Sequence, residues 1–256
     1  YRAMDHATPA TVLGDFDDAT LSHLGITSRM FRRDGRFFVH TEGPDGAMAD
    51  FEVKYVLGVT PLQNYMVEFD RTPDMPPTEV GRLQVLRLTW DTRNKRWFHL
   101  DPPGVPERLA PNDMLNWTGV AQRWNNMCAD CHSTNLQKNF DVASRRYHTT
   151  FSEIDVSCEA CHGPGGVHVR LAGARSLFWD RKRGYGLPNL KGESNDAEIN
   201  SCAPCHARRR RLTPNALPGD PFFDGHSVTL LEDRVYHAHG QILDEDYEYG
   251  SFTQSK

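Results

Sequence analysis

Residues 125–135 read "NNMCADCHSTN" and place two cysteines three positions apart, with a histidine directly after the second. The same pattern recurs in "SCEACHGPGG" (157–166) and "SCAPCHARRRR" (201–211). The three repeats contain Cys128, Cys131 and His132; Cys158, Cys161 and His162; and Cys202, Cys205 and His206. They use all six cysteines of the chain, so none remains for a disulfide elsewhere.

Three kinds of chemistry use a CxxC pair. Two pairs can hold zinc through four thiolates, but the third pair would then lack a partner and the histidines would have no role. A thioredoxin-like dithiol needs one pair at a strand-to-helix junction, and three repeats without that context do not fit it. Covalent haem attachment accounts for every position, because two thiols bind the porphyrin and the next histidine ligates the iron. We therefore predict three c-type haems, with His132, His162 and His206 as proximal iron ligands.

The second axial ligand of each iron is predicted from the number and position of the methionines and histidines that remain. All seven methionines precede Cys128, whereas nine histidines remain after the proximal three. This supply favours bis-histidine ligation, which lowers the reduction potential relative to an axial thioether.

Four histidines are the candidate distal ligands. His168 follows His162 by six residues, too few to pass around the same macrocycle, so it is expected to serve a neighbouring haem. His237 is one of two histidines in "RVYHAHGQ", and His23 and His6 would bring the N-terminal region onto a haem. An ordinary surface histidine is the alternative at each position. Further histidines left open are His148, His226 and His239, while His40 and His99 are expected to be ordinary sheet residues.

Hydrophobic patterning predicts an α+β fold in two parts. Residues 1–110 are β-rich, since "DFEVKYVLGV", "NYMVEF" and "RLQVLRLTW" alternate apolar and polar residues. Asp34-Gly35 and "DTRNKRWFHL" predict hairpins. Residues 111–256 are expected to form a mainly helical and loop region dominated by haem, beginning with a helix in "NDMLNWTGVAQRWNNM" that places Trp117 and Trp124 on one face.

Composition restricts the partners. The net charge of −5 gives no reason to expect nucleic-acid binding. No apolar run approaches the roughly 20 residues of a membrane span. The first residues lack the apolar stretch of a secretory leader, which is typical of a mature or trimmed form.

Four stretches of the chain, "WNNMCADCHSTNL", "SEIDVSCEACHGPGGVH", "SCAPCHARR" and "YHAHGQILDEDYEYGSFTQSK", resemble the multihaem cytochromes related in haem packing to cytochrome c554, often found with tetratricopeptide repeats. "ATPATVLGDF" and "GITSRMFRRDGRFFV" are similar too. Family members usually carry a further CxxCH on either side of the part matched here, so this is either a trihaem member or an internal piece of a longer chain. The family's aspartate in "YHADGQ" is His239 here, which favours His237 as the inherited ligand.

These observations predict an electron-transfer protein, not an enzyme, which passes single electrons to and from redox partner proteins. Two alternatives remain. One is a subunit of an extracellular conducting filament, assembled through haem–haem contacts between copies; the other is a multihaem oxidoreductase with one open haem site. Because haem attachment takes place outside the cytoplasmic membrane, we expect a periplasmic or extracellular location.

Overall fold

The computed structural model describes residues 4–174, 185–187, 190, 195–214, 216–229, 232, 235–243 and 248–254. The chain divides into two compact units, Tyr1–Val156 and Ser157–Lys256. The boundary predicted from composition, at residue 110, lies inside the first unit. Residues beyond that boundary remain with this unit because Trp117 and Trp124 are buried in the two cores of its sheet.

The first unit is built on an antiparallel sheet of eight strands. The strands are β1 (Met4–His6), β2 (Ala19–His23), β3 (Ile26–Arg33), β4 (Arg36–Glu42), β5 (Met48–Leu57), β6 (Leu62–Phe69), β7 (Arg82–Asp91) and β8 (Arg96–His99). Strands β2 to β8 pair in chain order, and β1 pairs with β5. The end strands β2 and β8 approach each other, with the rings of His23 and His99 stacked 4.3 Å apart. The sheet is therefore nearly closed.

Both predicted hairpins are confirmed. Asp34 and Gly35 have positive φ angles of 52° and 73°, as a two-residue turn that matches the strand twist requires. The β7–β8 turn begins at Asp91, whose carboxylate accepts backbone N–H bonds from Arg93 (3.0 Å) and Asn94 (2.9 Å). Each turn thus fixes the register of the strands that it joins.

The sheet has a core on each face, because side chains alternate along a strand. In β7, Leu86 and Leu88 belong to one buried cluster, and Leu83 and Val85 to the other. Trp117 covers the first cluster and Trp124 the second. The prediction that the two tryptophans share one helical face is therefore wrong.

The helix predicted in "NDMLNWTGVAQRWNNM" is also largely absent. The segment contains a 3-10 turn at Val120–Gln122 and a single turn of helix, α1 (Trp124–Met127). The backbone is tightly folded at Gly119, where a Cβ atom would lie 2.3 Å from the carbonyl oxygen of Asp113. Side chains also compete for the backbone, since Thr118 Oγ1 donates to the carbonyl of Pro111 at 2.7 Å. A short hairpin, β9 (Phe140–Asp141) and β10 (Arg146–Tyr147), follows in the same unit.

The described part of the second unit consists of short elements. They are α2 (Cys158–His162), α3 (Gly166–Gly173), α4 (Asp196–His206), β11 (Arg209–Arg211), α5 (Phe222–Gly225), β12 (His226–Val228) and α6 (Tyr249–Phe252). The α+β class is confirmed, but the described residues do not form the mainly helical region that was predicted. None of the helices in the described ranges is both long and apolar enough to cross a membrane.

Candidate haem sites

All three CxxCH motifs fold as helical turns. In the first motif, the N–H groups of Cys131 and His132 donate to the carbonyl of Cys128 at 3.1 and 3.0 Å. The second motif forms α2, and the third ends α4. Positions three apart in a helix lie on the same side, so each turn presents its two thiols together. All six cysteines are in described ranges, and no disulfide joins any two of them.

The first motif is anchored to the sheet by the two residues that open α1. Trp124 is fully buried, and its indole N–H points at the sulfur of Met4, 3.1 Å away. Asn125 is also fully buried. Its Oδ1 accepts the N–H of Leu83 at 2.9 Å, and its Nδ2 donates to the Gly81 carbonyl at 3.0 Å. A short helix of four residues is thereby held in one place by strand β7 and by the residue that precedes it.

Further contacts stabilise the first motif itself. Ser133 Oγ donates to the carbonyl of Ala129 at 2.6 Å, and Lys138 forms an ion pair with Asp130 at 2.8 Å. The Nδ1 atom of His132 is fully buried. Cys128 packs against the apolar cluster around Trp124. One wall of this site is therefore supplied by the sheet core.

The second motif ends in a glycine turn. Gly163 takes a φ of 67°, which ends α2 directly after His162. The Glu159 carboxylate, between the two cysteines, accepts the N–H of Gly165 at 2.7 Å and fixes this turn. The Nδ1 atom of His162 is buried and has no hydrogen-bond partner among the described residues. Its Nδ1 therefore makes no competing hydrogen bond within the described part of the chain.

The third motif has a carboxylate partner that the sequence did not indicate. His206 Nδ1 lies 3.0 Å from Glu248 Oε2, at the start of α6. This hydrogen bond lowers the pKa of the Glu248 carboxyl, so the group is ionised. A carboxylate at Nδ1 fixes the ring so that Nε2 is presented as a ligand, and it makes that nitrogen more basic. Because 42 residues separate the pair, local spacing carries no sign of it.

The second and third motifs belong to the same unit, and α2 contacts α4. Burial raises the pKa of the Cys202 thiol, and the neighbouring Cys161 and Glu198 raise it further. Cys161 and Cys202 therefore lie close enough for their charges to interact. The two attachment turns are neighbours.

Each motif fits a c-type haem by the chemistry of its donors. Two thiols on one side of a helical turn are followed by an imidazole, and the buried Nδ1 of His162 leaves that ring without a competing hydrogen bond among the described residues. The residues suited to hold the porphyrins covalently are the six cysteines of the motifs, with His132, His162 and His206 as the iron ligands.

Two of the predicted distal ligands lie in the second unit. His168 is half-buried on α3, with Nδ1 3.3 Å from the carbonyl oxygen of Tyr185. His237 and His239 are exposed in a turn, with ring centroids 5.2 Å apart. Both rings line an open cleft of about 520 Å³ together with Tyr236. His239 Nδ1 accepts the N–H of Gln241 at 3.3 Å. Ligation of a haem by His168 or His237 stays a prediction.

The other two predicted distal ligands lie on the sheet of the first unit. His6 is exposed at the end of β1, with its ring 4.8 Å from that of Tyr55. His23 ends β2, and its Nε2 lies 2.8 Å from Asp101 Oδ1. The nitrogen that would reach an iron is thus engaged with a carboxylate. Whether either residue ligates a haem stays a prediction.

The remaining histidines have local partners. His40 Nδ1 bonds to Asp50 at 2.8 Å, and His148 Nδ1 bonds to Glu79 at 2.9 Å. His226 is buried at the start of β12, stacked on Phe222 with centroids 5.1 Å apart. Each of these rings thus has at least one contact within its own unit.

Comparison with known proteins bears on part of the chain. Residues 109–163 match the family model for cytochrome c554 and c-prime, and this range contains the first two motifs. A crystal structure of the outer cell wall cytochrome OcwA is similar at 20% identity and a TM-score of 0.46, with 76% of this chain aligned to 38% of that one. This chain therefore spans 38% of the length of that cytochrome. No curated protein matches.

Residues 109–163 are therefore similar to the cytochrome c554 and c-prime family, and the CxxCH pattern that they contain twice is the one by which c-type cytochromes attach haem. The predicted resemblance to the multihaem cytochromes related to cytochrome c554 is confirmed, through residues 109–163.

Proposed function

We propose that this chain is a trihaem electron carrier with bis-histidine iron. The observation that carries the proposal is the shared geometry of the motifs. Three CxxCH segments fold into similar helical turns, no disulfide consumes their thiols, and two of the turns are neighbours in one unit. When bound, haem c supplies iron that changes its charge by one electron.

The chain's own residues determine how each haem is held. The paired thiols would hold the porphyrin covalently, and the following histidine would provide a nitrogen ligand to the iron. At the third motif, Glu248 accepts a hydrogen bond from His206 Nδ1 and leaves Nε2 for the iron. At the first motif, the apolar cluster around Trp124 excludes water from one side. A drier and less polar environment changes the relative stability of the two iron charges, so the three potentials are expected to differ.

His168 and His237 are proposed as distal ligands in the second unit. Nδ1 of His168 already has a backbone contact, which leaves Nε2 for an iron. His237 lies in an exposed turn beside an open cleft. Two neutral imidazoles on one iron would give a low-spin centre with no position left for a further small ligand, which suits a protein that only exchanges electrons.

Spectroscopy of the loaded protein tests this ligation. We expect the oxidised protein to be fully low-spin and the reduced protein not to bind carbon monoxide. His168→Ala and His237→Ala are each expected to convert one haem of three to a high-spin form that binds carbon monoxide, while His40→Ala, on the sheet, is expected to change nothing. A high-spin haem in the unaltered protein would favour an oxidoreductase with an open site. Fully low-spin spectra in both variants would contradict these two assignments.

Partner proteins and location follow from the same proposal. Each haem adds two propionates to a net charge of −5, so a carrier of this kind is expected to meet basic redox partners outside the cytoplasmic membrane. Association with such partners is expected to weaken as salt increases. A filament of this chain would instead bury a large interface that depends little on salt. Sedimentation at low and high salt distinguishes the two.

A further inference from the structure

We propose that His23, His99 and Asp101 form a site for a divalent late transition-metal ion, such as zinc, that is separate from the haems. His23 ends β2, His99 ends β8, and Asp101 lies two residues beyond His99. The two end strands of the nearly closed sheet thus bring two imidazoles and a carboxylate to one place.

The geometry of the three side chains is convergent. His23 Nε2 and His99 Nδ1 each lie 2.8 Å from the same oxygen, Asp101 Oδ1. The two rings stack with centroids 4.3 Å apart and an interplanar angle of 17°. Their candidate ligand atoms all lie within 4.8 Å of one another. In a tetrahedral zinc site, bonds of about 2.0–2.2 Å place neighbouring ligand atoms somewhat over 3 Å apart. The two nitrogen-to-oxygen distances of 2.8 Å are shorter than this, so a bound ion would require the Asp101 carboxylate and the two rings to move apart.

This arrangement differs from the other histidine–carboxylate pairs of the protein. His40 with Asp50, His148 with Glu79 and His206 with Glu248 each bring one imidazole to a carboxylate. Only at Asp101, among the described residues, do two imidazoles point at one carboxylate oxygen. A single histidine–carboxylate pair is common at protein surfaces. Two imidazoles and a carboxylate, in contrast, are the donor set of many three-ligand zinc sites.

Access and charge both bear on binding. The side chains of His23, His99 and Asp101 are 31%, 25% and 43% exposed, so an ion reaches them from solvent. A cavity of about 70 Å³ beside them offers room for a water molecule in the fourth position. Arg87 and Arg108 line the same cavity and their positive charges would disfavour a cation. The Arg87 guanidinium donates to the carbonyls of Leu115 (2.7 Å) and Leu100 (2.9 Å), and Arg108 forms an ion pair with Glu42. Asp101 supplies the compensating negative charge.

A bound ion would connect strands that lack a hydrogen-bonded pairing with each other. Strands β2 and β8 are the two ends of the sheet order, and the contact of His23 with Asp101 spans 78 positions of sequence. A ligand that binds only the folded form stabilises it by mass action. Zinc is therefore expected to raise the unfolding temperature of the first unit.

The test uses the full chain with its covalent haems, treated with a chelator and then titrated with zinc chloride. Calorimetry is expected to show one specific zinc ion per chain, and elemental analysis to show zinc in addition to haem iron. His99→Ala is expected to abolish this binding. Asp101→Asn, which keeps the size of the side chain and removes its charge, is expected to weaken binding at least about tenfold. His40→Ala, which removes an imidazole from a neighbouring pair on the same sheet, is expected to bind zinc as the unaltered protein does.

Two results would overturn the proposal. One is zinc binding that is the same in His99→Ala and Asp101→Asn as in the unaltered protein, which would assign the ion to haem propionates or other surface groups. The other is a His23→Ala variant that gains a high-spin haem and still binds zinc, which would make His23 a distal haem ligand. Asp101→Asn keeps the test decisive if a histidine variant fails to fold, because it preserves the shape of the site.

Discussion

Asn125→Ala is expected to loosen the first haem motif from the sheet and to destabilise the first unit substantially. The Asn125 side chain is fully buried and makes three hydrogen bonds, with the N–H of Leu83 (2.9 Å), the carbonyl of Gly81 (3.0 Å) and Oγ1 of Thr149 (2.9 Å). Alanine removes all three and leaves the N–H of Leu83, the carbonyl of Gly81 and the hydroxyl of Thr149 without that partner.

The magnitude follows from the number of bonds lost. Each is worth about 1 kcal/mol, and a buried group left unsatisfied costs about 1–3 kcal/mol, so the loss is expected to be about 3–5 kcal/mol. A domain of this size has a total free energy of unfolding of about 5–15 kcal/mol. The corresponding fall in unfolding temperature is roughly 10 °C.

Urea unfolding of the haem-loaded protein, followed by the β-sheet signal in circular dichroism, measures the change. The matched control is Asn126→Ala, which removes the same side chain from the next, exposed position of α1 and is expected to shift stability by less than about 0.5 kcal/mol. Equal stabilities of the two variants would refute the idea that Asn125 anchors the motif. An effect of the expected size would identify this buried amide as a main support of the first haem site.

Three further outcomes are expected. Replacing both cysteines of the third motif by alanine is expected to remove one haem of three, measured by pyridine haemochrome absorbance per chain; an unchanged haem content would contradict attachment there. Glu248→Gln is expected to raise the reduction potential of one haem, because His206 loses a negatively charged partner, and a spectroelectrochemical titration with no shift would argue against this contact. Gly35→Ala, at a φ of 73°, is expected to lower the free energy of unfolding in urea by about 1–2 kcal/mol, whereas Asp34→Gly, at the other positive-φ position, is expected to be nearly neutral. Equal effects of the two variants would mean that the positive φ at Gly35 does not contribute to stability.

Features encoded by neighbouring residues could be predicted from the sequence. Alternating side chains in β5 to β7 and the Asp34-Gly35 turn predicted strands and a hairpin that the structure contains. The helix predicted before the first motif is interrupted at Gly119, whose backbone is extended with a φ of −81° and a ψ of 176°.

Contacts between distant positions could not be predicted in the same way. The near closure of the sheet, which joins His23 to His99 and Asp101, requires the whole strand order to be known. His99 was accordingly expected to be an ordinary sheet residue. Similarly, Asn125 and Asn126 are identical neighbours in the sequence, and only the packed structure distinguishes the buried side chain of Asn125 from the exposed one of Asn126.

The central claim is that each CxxCH motif carries a covalent haem, and the mass of the intact protein tests it most directly. After acid–acetone extraction, the 29.1 kDa chain is expected to be heavier by three haems, with digestion placing one haem on each cysteine pair. A chain whose haem is removed by extraction, or whose motifs hold zinc in place of haem, would contradict the account.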